Sequence, residues 1–132
     1  MCLRNEGQCK YKDDMRLVSE WSNNCSLIIL VSKVKYGCVD IPLKRYLERQ
    51  ICNYEPFYTL VDGETTRLSL SNLKKKIIFI GYGDIDEYQR QLVIDSLSNM
   101  QLNVDIKSLT TYFCEEKELV ETIATFGGVD HE

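Results

Sequence analysis

The stretch "IIFIGYGDIDEYQRQ", residues 77–91, decides the fold of this chain. A run of apolar residues meets two glycines, and acidic residues then open a helical pattern. Continuous apolar runs are typical of buried parallel strands, and acidic residues favour a helix N-terminus. The segment that follows, "LNVDIKSL" (residues 102–109), alternates between apolar and polar residues up to its last two positions. Together the pattern predicts a βαβ unit over residues 76–109, with parallel strands and a right-handed crossover.

The rest of the chain shows the same two kinds of pattern. Alternating or continuous apolar runs predict strands, and apolar residues at every third or fourth position predict helices. The segments are a strand at 15–21, a central strand at 25–36, a helix at 40–54, a hairpin at 55–70 and a final helix at 115–126. The predicted fold is α/β with the order β-β-α-β-β-β-α-β-α, a mixed sheet of about five or six strands with three helices.

Local signals place the ends of several elements. Asp40 stands where the N-cap of the first predicted helix belongs, because a side-chain oxygen there can accept from a free N–H group. Asp62-Gly63 supplies the positive φ angles of a two-residue hairpin turn. Asp84 is the expected cap of a helix that begins near Ile85. The residues predicted to share the inward face of that helix are Ile85, Tyr88, Leu92, Val93, Leu97 and Met100.

Length and composition predict one folded domain. The 132 residues suffice for a single core, and we assign residues 15–132 to the domain and residues 1–14 to a flexible N-terminal segment. The longest apolar run, residues 27–31, is too short to span a bilayer. The polar N-terminus lacks a signal peptide's apolar core. We therefore expect an intracellular protein, cytoplasmic or nuclear, that makes no membrane contact.

The cysteine and histidine content excludes several chemistries. Six cysteines occur without a Cys-x-x-Cys pair, and the single histidine is His131, next to the C-terminus. A structural zinc site needs closer ligand spacing, and a Ser-His or Cys-His pair needs a well-placed imidazole. Disulfide-dense domains are usually poor in core, which this chain is not. We therefore expect free thiols in a reducing compartment and no bound cofactor.

Three carboxylates provide the one candidate catalytic constellation. Asp84 and Asp86 follow a predicted parallel strand, and Asp40 also stands where a strand region gives way to a helix. Ligands in open α/β sheets bind beyond the carboxyl ends of the strands. Carboxylates that converge there could hold Mg²⁺ or Mn²⁺ and position a water for phosphodiester cleavage. The competing interpretation is that these aspartates only cap helices.

The order of Gly83-Asp84-Ile85-Asp86, a helix, an alternating strand and "ELVETIATF" (residues 118–126) resembles the C-terminal half of PIN-like (NYN-type) nuclease domains. The resemblance implies a metal-dependent nuclease with Asp40, Asp84 and Asp86 as catalytic and metal-binding residues. Those families place an aspartate and an asparagine after their first strand. Only Asp40 matches here, with no asparagine beside it.

The leading hypothesis is a non-enzymatic interaction or regulatory domain that acts through protein-protein contacts. Eight tyrosines and one tryptophan supply material for a binding surface. An accessory protein of a virus or mobile element would suit a domain of this kind. Nucleic acid is a less favoured partner because the net charge is −4. The basic and aromatic residues that would form such a patch are Lys44, Arg45, Arg49, Lys74, Lys75, Lys76, Tyr46 and Tyr54.

Overall fold

A computed structural model describes residue 11, residues 13–99 and residues 105–127 of the chain. Its helices and strands form one α/β domain. In chain order they are α1 (Met15–Asn24), β1 (Leu27–Lys35), β2 (Cys38–Val39), α2 (Ile41–Arg49), a 3-10 turn (Gln50–Asn53), β3 (Thr59–Val61), β4 (Glu64–Thr66), β5 (Lys75–Tyr82), α3 (Glu87–Ser98), β6 (Ile106–Cys114), a second 3-10 turn (Glu116–Glu118) and α4 (Leu119–Gly127).

The main sheet has four strands in the order β2-β1-β5-β6. Strands β1, β5 and β6 run parallel, and β2 pairs antiparallel with the end of β1. The predicted βαβ unit is therefore confirmed, as is the mixed α/β class. The predicted hairpin is also confirmed, but β3 and β4 form a separate two-stranded sheet. Its turn uses Asp62 (φ 50°) and Gly63 (φ 85°), as the sequence predicts.

The core lies between the parallel strands and the helices α2 and α3. Ile77 and Phe79 of the central strand pack with Leu43 of α2 and with Val93 and Leu97 of α3. The connections from β1 to β5 and from β5 to β6 lead in the same direction across the sheet. Because such connections are right-handed, both helices lie on the same face of the sheet. Helix α4 lies on the other face, where the rings of Phe126 and Tyr112 are 4.7 Å apart.

The first predicted strand is wrong, because residues 15–24 form helix α1. The buried residues of this helix are Ser19 and Ser22. The segment is ambiguous in the sequence, because Met15, Leu17 and Trp21 fit a loose alternation whereas Met15, Val18 and Trp21 fit the spacing of a helix. The described part of the chain therefore contains four α-helices rather than three.

Two strand boundaries also differ from the prediction. The chain turns at Tyr36 (φ 54°) and Gly37 (φ 70°) and adds the short strand β2, which the sequence reading missed. A Cβ at Gly37 would lie 2.6 Å from Leu92, so glycine is required for space as well as for conformation. Strand β6 does not end at Ser108-Leu109 but continues to Cys114. The predicted start of that strand, at residues 102–104, lies outside the described residues.

The inward face of α3 is narrower than predicted. Val93 and Leu97 are buried, whereas Tyr88 is 73% exposed and Leu92 is 37% exposed. Val93 and Leu97, an i, i+4 pair, are the residues of the helix that are buried against the sheet. The neighbouring residues on either side of this pair on the helix surface therefore reach solvent. Leu92 contacts the turn at Gly37 instead of the core. Met100 lies outside the described residues, and so does most of the predicted flexible segment 1–14.

Candidate functional site

The three predicted carboxylates occupy separate positions. Asp40 caps α2 by accepting from the Leu43 N–H at 3.1 Å. Asp86, not Asp84, caps α3, and its Oδ1 accepts from the Gln89 N–H at 2.7 Å. The prediction that Asp84 caps α3 was wrong, because the helix begins only at Glu87. Between the strand and the helix, Gly83 has a positive φ of 130° and the Ile85 side chain is buried in the core.

Asp84 is exposed and faces a surface depression at the carboxyl end of β5 and β6 that Glu116 also lines. Within the described ranges, no group of three or more His, Cys, Asp or Glu side chains is placed to hold a metal ion. The connections from β1 to β5 and from β5 to β6 both lead in the same direction across the sheet, so these parallel strands contain no switch point, the place where open α/β sheets bind ligands. The nuclease hypothesis thus stays a prediction without a converged site behind it.

The charges at this sheet edge form exposed pairs. Lys33 donates to Glu116 at 2.8 Å, with side chains 39% and 65% exposed. The hydrogen bond that Lys33 donates to Glu116 holds the pKa of Lys33 above its ordinary value, with the Coulombic attraction adding to it. Exposed pairs contribute little to stability because solvent screens them.

The outer edge of β1 is the first feature with binding potential. Strand β2 covers this edge only at Val34 and Lys35. The N–H and C=O groups of successive residues in a strand point alternately to its two neighbours. The Ser26 carbonyl accepts from Lys76 of β5, so even-numbered residues face β5. Lys35 pairs with Cys38 of β2, on the other side. Odd-numbered residues therefore direct their N–H and C=O groups away from β5.

The residues left open by this alternation are Leu27, Ile29 and Val31. Their outward main-chain groups have no hydrogen-bond partner among the residues that the structure describes. The edge closes at Ser32, whose Oγ accepts from the Asp40 N–H at 2.9 Å. An unpaired strand edge is a template for the addition of a further strand.

A groove of about 430 Å³ runs along this open edge between α1 and α2. Helix α1 contributes Val18 and Trp21, and helix α2 contributes Pro42, Leu43 and Tyr46. Trp21 is 63% exposed although it is large and apolar. The groove was not predicted from the sequence, because residues 15–21 were expected to form a strand. A helical reading would have placed Val18 and Trp21, at i and i+3, on one face.

A buried ion pair lies at the opposite, amino-terminal end of the parallel strands. Lys75 Nζ is 2.8 Å from Asp105 Oδ2, and the two side chains are only 6% and 7% exposed. The Tyr54 hydroxyl donates to Asp105 Oδ1 at 3.3 Å. Burial, followed by the charge of Asp105 and this hydrogen bond, raises the pKa of Tyr54. The sequence reading missed the pair because Lys75 belongs to a run of lysines and Asp105 to an alternating segment.

The predicted basic patch is not assembled as the sequence suggested. Lys75 is buried, and Arg49 pairs with Asp13 at 2.7 Å. Lys44 and Arg45 remain exposed on α2.

The four described cysteines, Cys25, Cys38, Cys52 and Cys114, carry free thiols.

A scan against protein-family models gives no match, and neither curated proteins nor solved structures show a significant match to the chain. None of the helices in the described ranges is long and apolar enough to cross a bilayer. Any functional inference therefore depends on the geometry of the open edge, the groove and the buried ion pair.

Proposed function

We propose that the protein is a non-enzymatic interaction domain that binds an extended segment of a partner protein along the open edge of β1. The observation that carries the proposal is that the outward main-chain groups of Leu27, Ile29 and Val31 have no partner within residues 13–99 and 105–127. A strand of a partner would satisfy these groups by β-augmentation, in which main-chain hydrogen bonds give affinity and pockets for alternate side chains give specificity. A regulatory role is part of this proposal, because such a protein acts by binding its partner.

The position of β2 supports an extended occupant. It already pairs with the same edge of β1 and leaves it at Asp40, so an added strand would continue the sheet where β2 stops. The open length, from Leu27 to Val31, suits a segment of about five residues at one residue per 3.3 Å. The groove walls supply the side-chain contacts, and Trp21 is the exposed aromatic anchor of the kind found at interface hot spots.

Selection from a displayed library of random peptides tests the proposal, with the wild-type protein as bait. Trp21 is the chain's single tryptophan, so a peptide that covers it should shift its emission to shorter wavelength. Ile29→Pro removes an outward N–H at a position where an edge strand tolerates proline, and it should abolish binding. Trp21→Ala should weaken binding, whereas Tyr88→Ala, an exposed aromatic on α3, is the matched control and should not.

Amide exchange locates the binding edge independently of the variants. In the free protein the amides of Leu27, Ile29 and Val31 should exchange quickly, while those of Ile28 and Leu30 are protected by β5. Bound peptide should slow the first group. Peptides that bind Ile29→Pro as tightly as the wild type, or that protect other amides, would refute the proposal. A concentration-dependent dimer in ultracentrifugation that Ile29→Pro abolishes would instead assign the edge to a second copy of the chain.

A further inference from the structure

A cavity of about 360 Å³ lies at the amino-terminal end of the parallel strands. Small-molecule sites typically measure about 300–1,000 Å³ and have mostly apolar walls with a few placed polar groups. The apolar walls here come from the strands and from α2 and α3, and they are Ile28, Leu30, Leu47, Ile77, Leu97 and Ile106. Glu48 and Ile51, which also line the cavity, are exposed, so it opens to solvent beside them.

A directed chain of side-chain amides ends in an unused acceptor at this cavity. The Tyr46 carbonyl can only accept, so Gln50 turns its Nε2 toward it, at 3.2 Å, and leaves its Oε1 to accept from Asn53 Nδ2. Asn53 Oδ1 then accepts from Asn23 Nδ2 at 3.3 Å. The order fixes the orientation of Asn23, whose Oδ1 is buried and has no hydrogen-bond partner among the described residues.

The two buried charges that line the cavity balance each other, and Glu48, the other charged residue of the lining, is exposed at the mouth. Lys75 and Asp105 form their ion pair in its wall, and both are shielded from solvent. Inside the cavity, away from the mouth, a charged ligand would lose its hydration without finding a free opposite charge, which is costly in a desolvated site. An uncharged ligand avoids this cost, and apolar atoms suit the remaining walls.

From these three observations we propose that the cavity binds a small, uncharged molecule that is mostly apolar and carries one N–H or O–H donor. Binding turns the Asn23 side chain enough to present its Oδ1, which is covered in the free protein, to the donor, and the apolar part packs against Leu47, Leu97 and Ile106. This site is separate in chemistry from the groove on the outer edge of β1, since it encloses a small molecule rather than pairing with a main chain.

Indole and 1-methylindole are the probes that test the site. They share a flat apolar body, but methylation removes the N–H donor. In an amide-detected NMR titration of the wild-type protein, indole should shift the resonances of cavity-lining residues. It should bind about tenfold more tightly than 1-methylindole, because only indole pairs the buried acceptor. The preference should disappear in Asn23→Leu.

Two serines of α3 provide a matched pair of variants. Ser96 lines the cavity and Ser98 does not, although both lie on exposed positions of the same helix. Ser96→Phe should occupy part of the cavity and abolish indole binding, and Ser98→Phe should leave it unchanged. Absence of indole binding to the wild type, equal affinity of the two compounds there, or equal binding by the two variants would each overturn the proposal.

Discussion

Removing one partner of the Lys75–Asp105 pair should destabilise the fold severely. Breaking a buried ion pair costs about 3–5 kcal/mol, because the remaining charge is left without compensation. The 2.8 Å separation and the near-complete burial of both side chains place this pair in that class. Lys75→Met should therefore lower the free energy of unfolding by about 3–5 kcal/mol. Asp105→Asn should cost a similar amount, since it leaves the Lys75 ammonium buried and without a counter-charge.

Replacing both partners should cost far less than either single change. Exchange of a buried ion pair for apolar residues of similar volume is often neutral or stabilising by about 1–4 kcal/mol. Here Tyr54 subtracts from that gain, because its hydroxyl loses its acceptor when Asp105 is replaced. An unpaired buried hydroxyl costs about 1–3 kcal/mol. Lys75→Met with Asp105→Leu should thus unfold close to the wild type, and the addition of Tyr54→Phe should recover the remainder.

Urea unfolding followed by circular dichroism measures all of these variants on one scale. The free energy of unfolding comes from linear extrapolation, and an unchanged slope confirms that only stability was altered. The matched control is Lys117→Met, which removes one partner of the exposed Lys117–Glu115 pair; because solvent screens an exposed pair, this change should leave the free energy of unfolding nearly unaltered. Single variants at Lys75 and Asp105 that cost no more than this control would refute the buried ion pair.

Three further predictions follow from the fold and the predicted site. Leu97→Ala should cost about 2–5 kcal/mol in urea unfolding, and Leu92→Ala should cost clearly less because Leu92 is partly exposed; equal losses would contradict the assigned face of α3. Mg²⁺ or Mn²⁺ should leave the melting temperature unchanged in the wild type and in Asp84→Asn, whereas a metal-dependent rise that this variant abolishes would favour the nuclease hypothesis. The pKa of Tyr54 is raised above its ordinary value of 10.0, so the unfolded chain loses this proton first, and stability should be intact below pH 10 and fall above it; Tyr54→Phe should flatten that fall, and identical pH profiles would exclude the assignment.

The parts of the fold that the sequence predicted correctly depend on local signals. The Asp40 cap, the Asp62-Gly63 turn and the βαβ unit each lie within a short segment whose pattern has one physical solution. Helix α1 escaped prediction because the apolar residues of this short segment fit both a loose alternation and a helical spacing, and the alternation was the wrong choice. The cap of α3 was misplaced by two residues because Asp84 and Asp86 carry the same local signal, and only the packing of Ile85 distinguishes them.

The candidate binding features escaped prediction for a different reason, which is that they arise between distant segments. Lys75 and Asp105 are 30 residues apart and meet only because β5 and β6 are neighbours. The edge of β1 is open because β2 is too short to cover it. The sequence of Leu27–Lys35 does not indicate how long the neighbouring strand will be. Burial of an ionisable pair and exposure of a strand edge are properties of the assembled sheet, so the sequence alone could not rank them above the three aspartates.

The groove and the cavity share a wall, and this has a measurable consequence. Tyr46, Ser22, Ile28 and Leu30 line both, and the Tyr46 hydroxyl donates to Ser22 Oγ at 3.3 Å between them. A ligand that changes the position of Tyr46 must change the affinity of the other site, and the factor is the same in both directions. We therefore expect indole at saturation to alter the affinity of a selected peptide about fivefold or more, the lower end of typical coupling. Tyr46→Phe keeps the ring and removes the hydrogen bond, so it should reduce the coupling without abolishing either binding event. Peptide affinity that is independent of indole would show that the shared wall is rigid and that the two sites act separately.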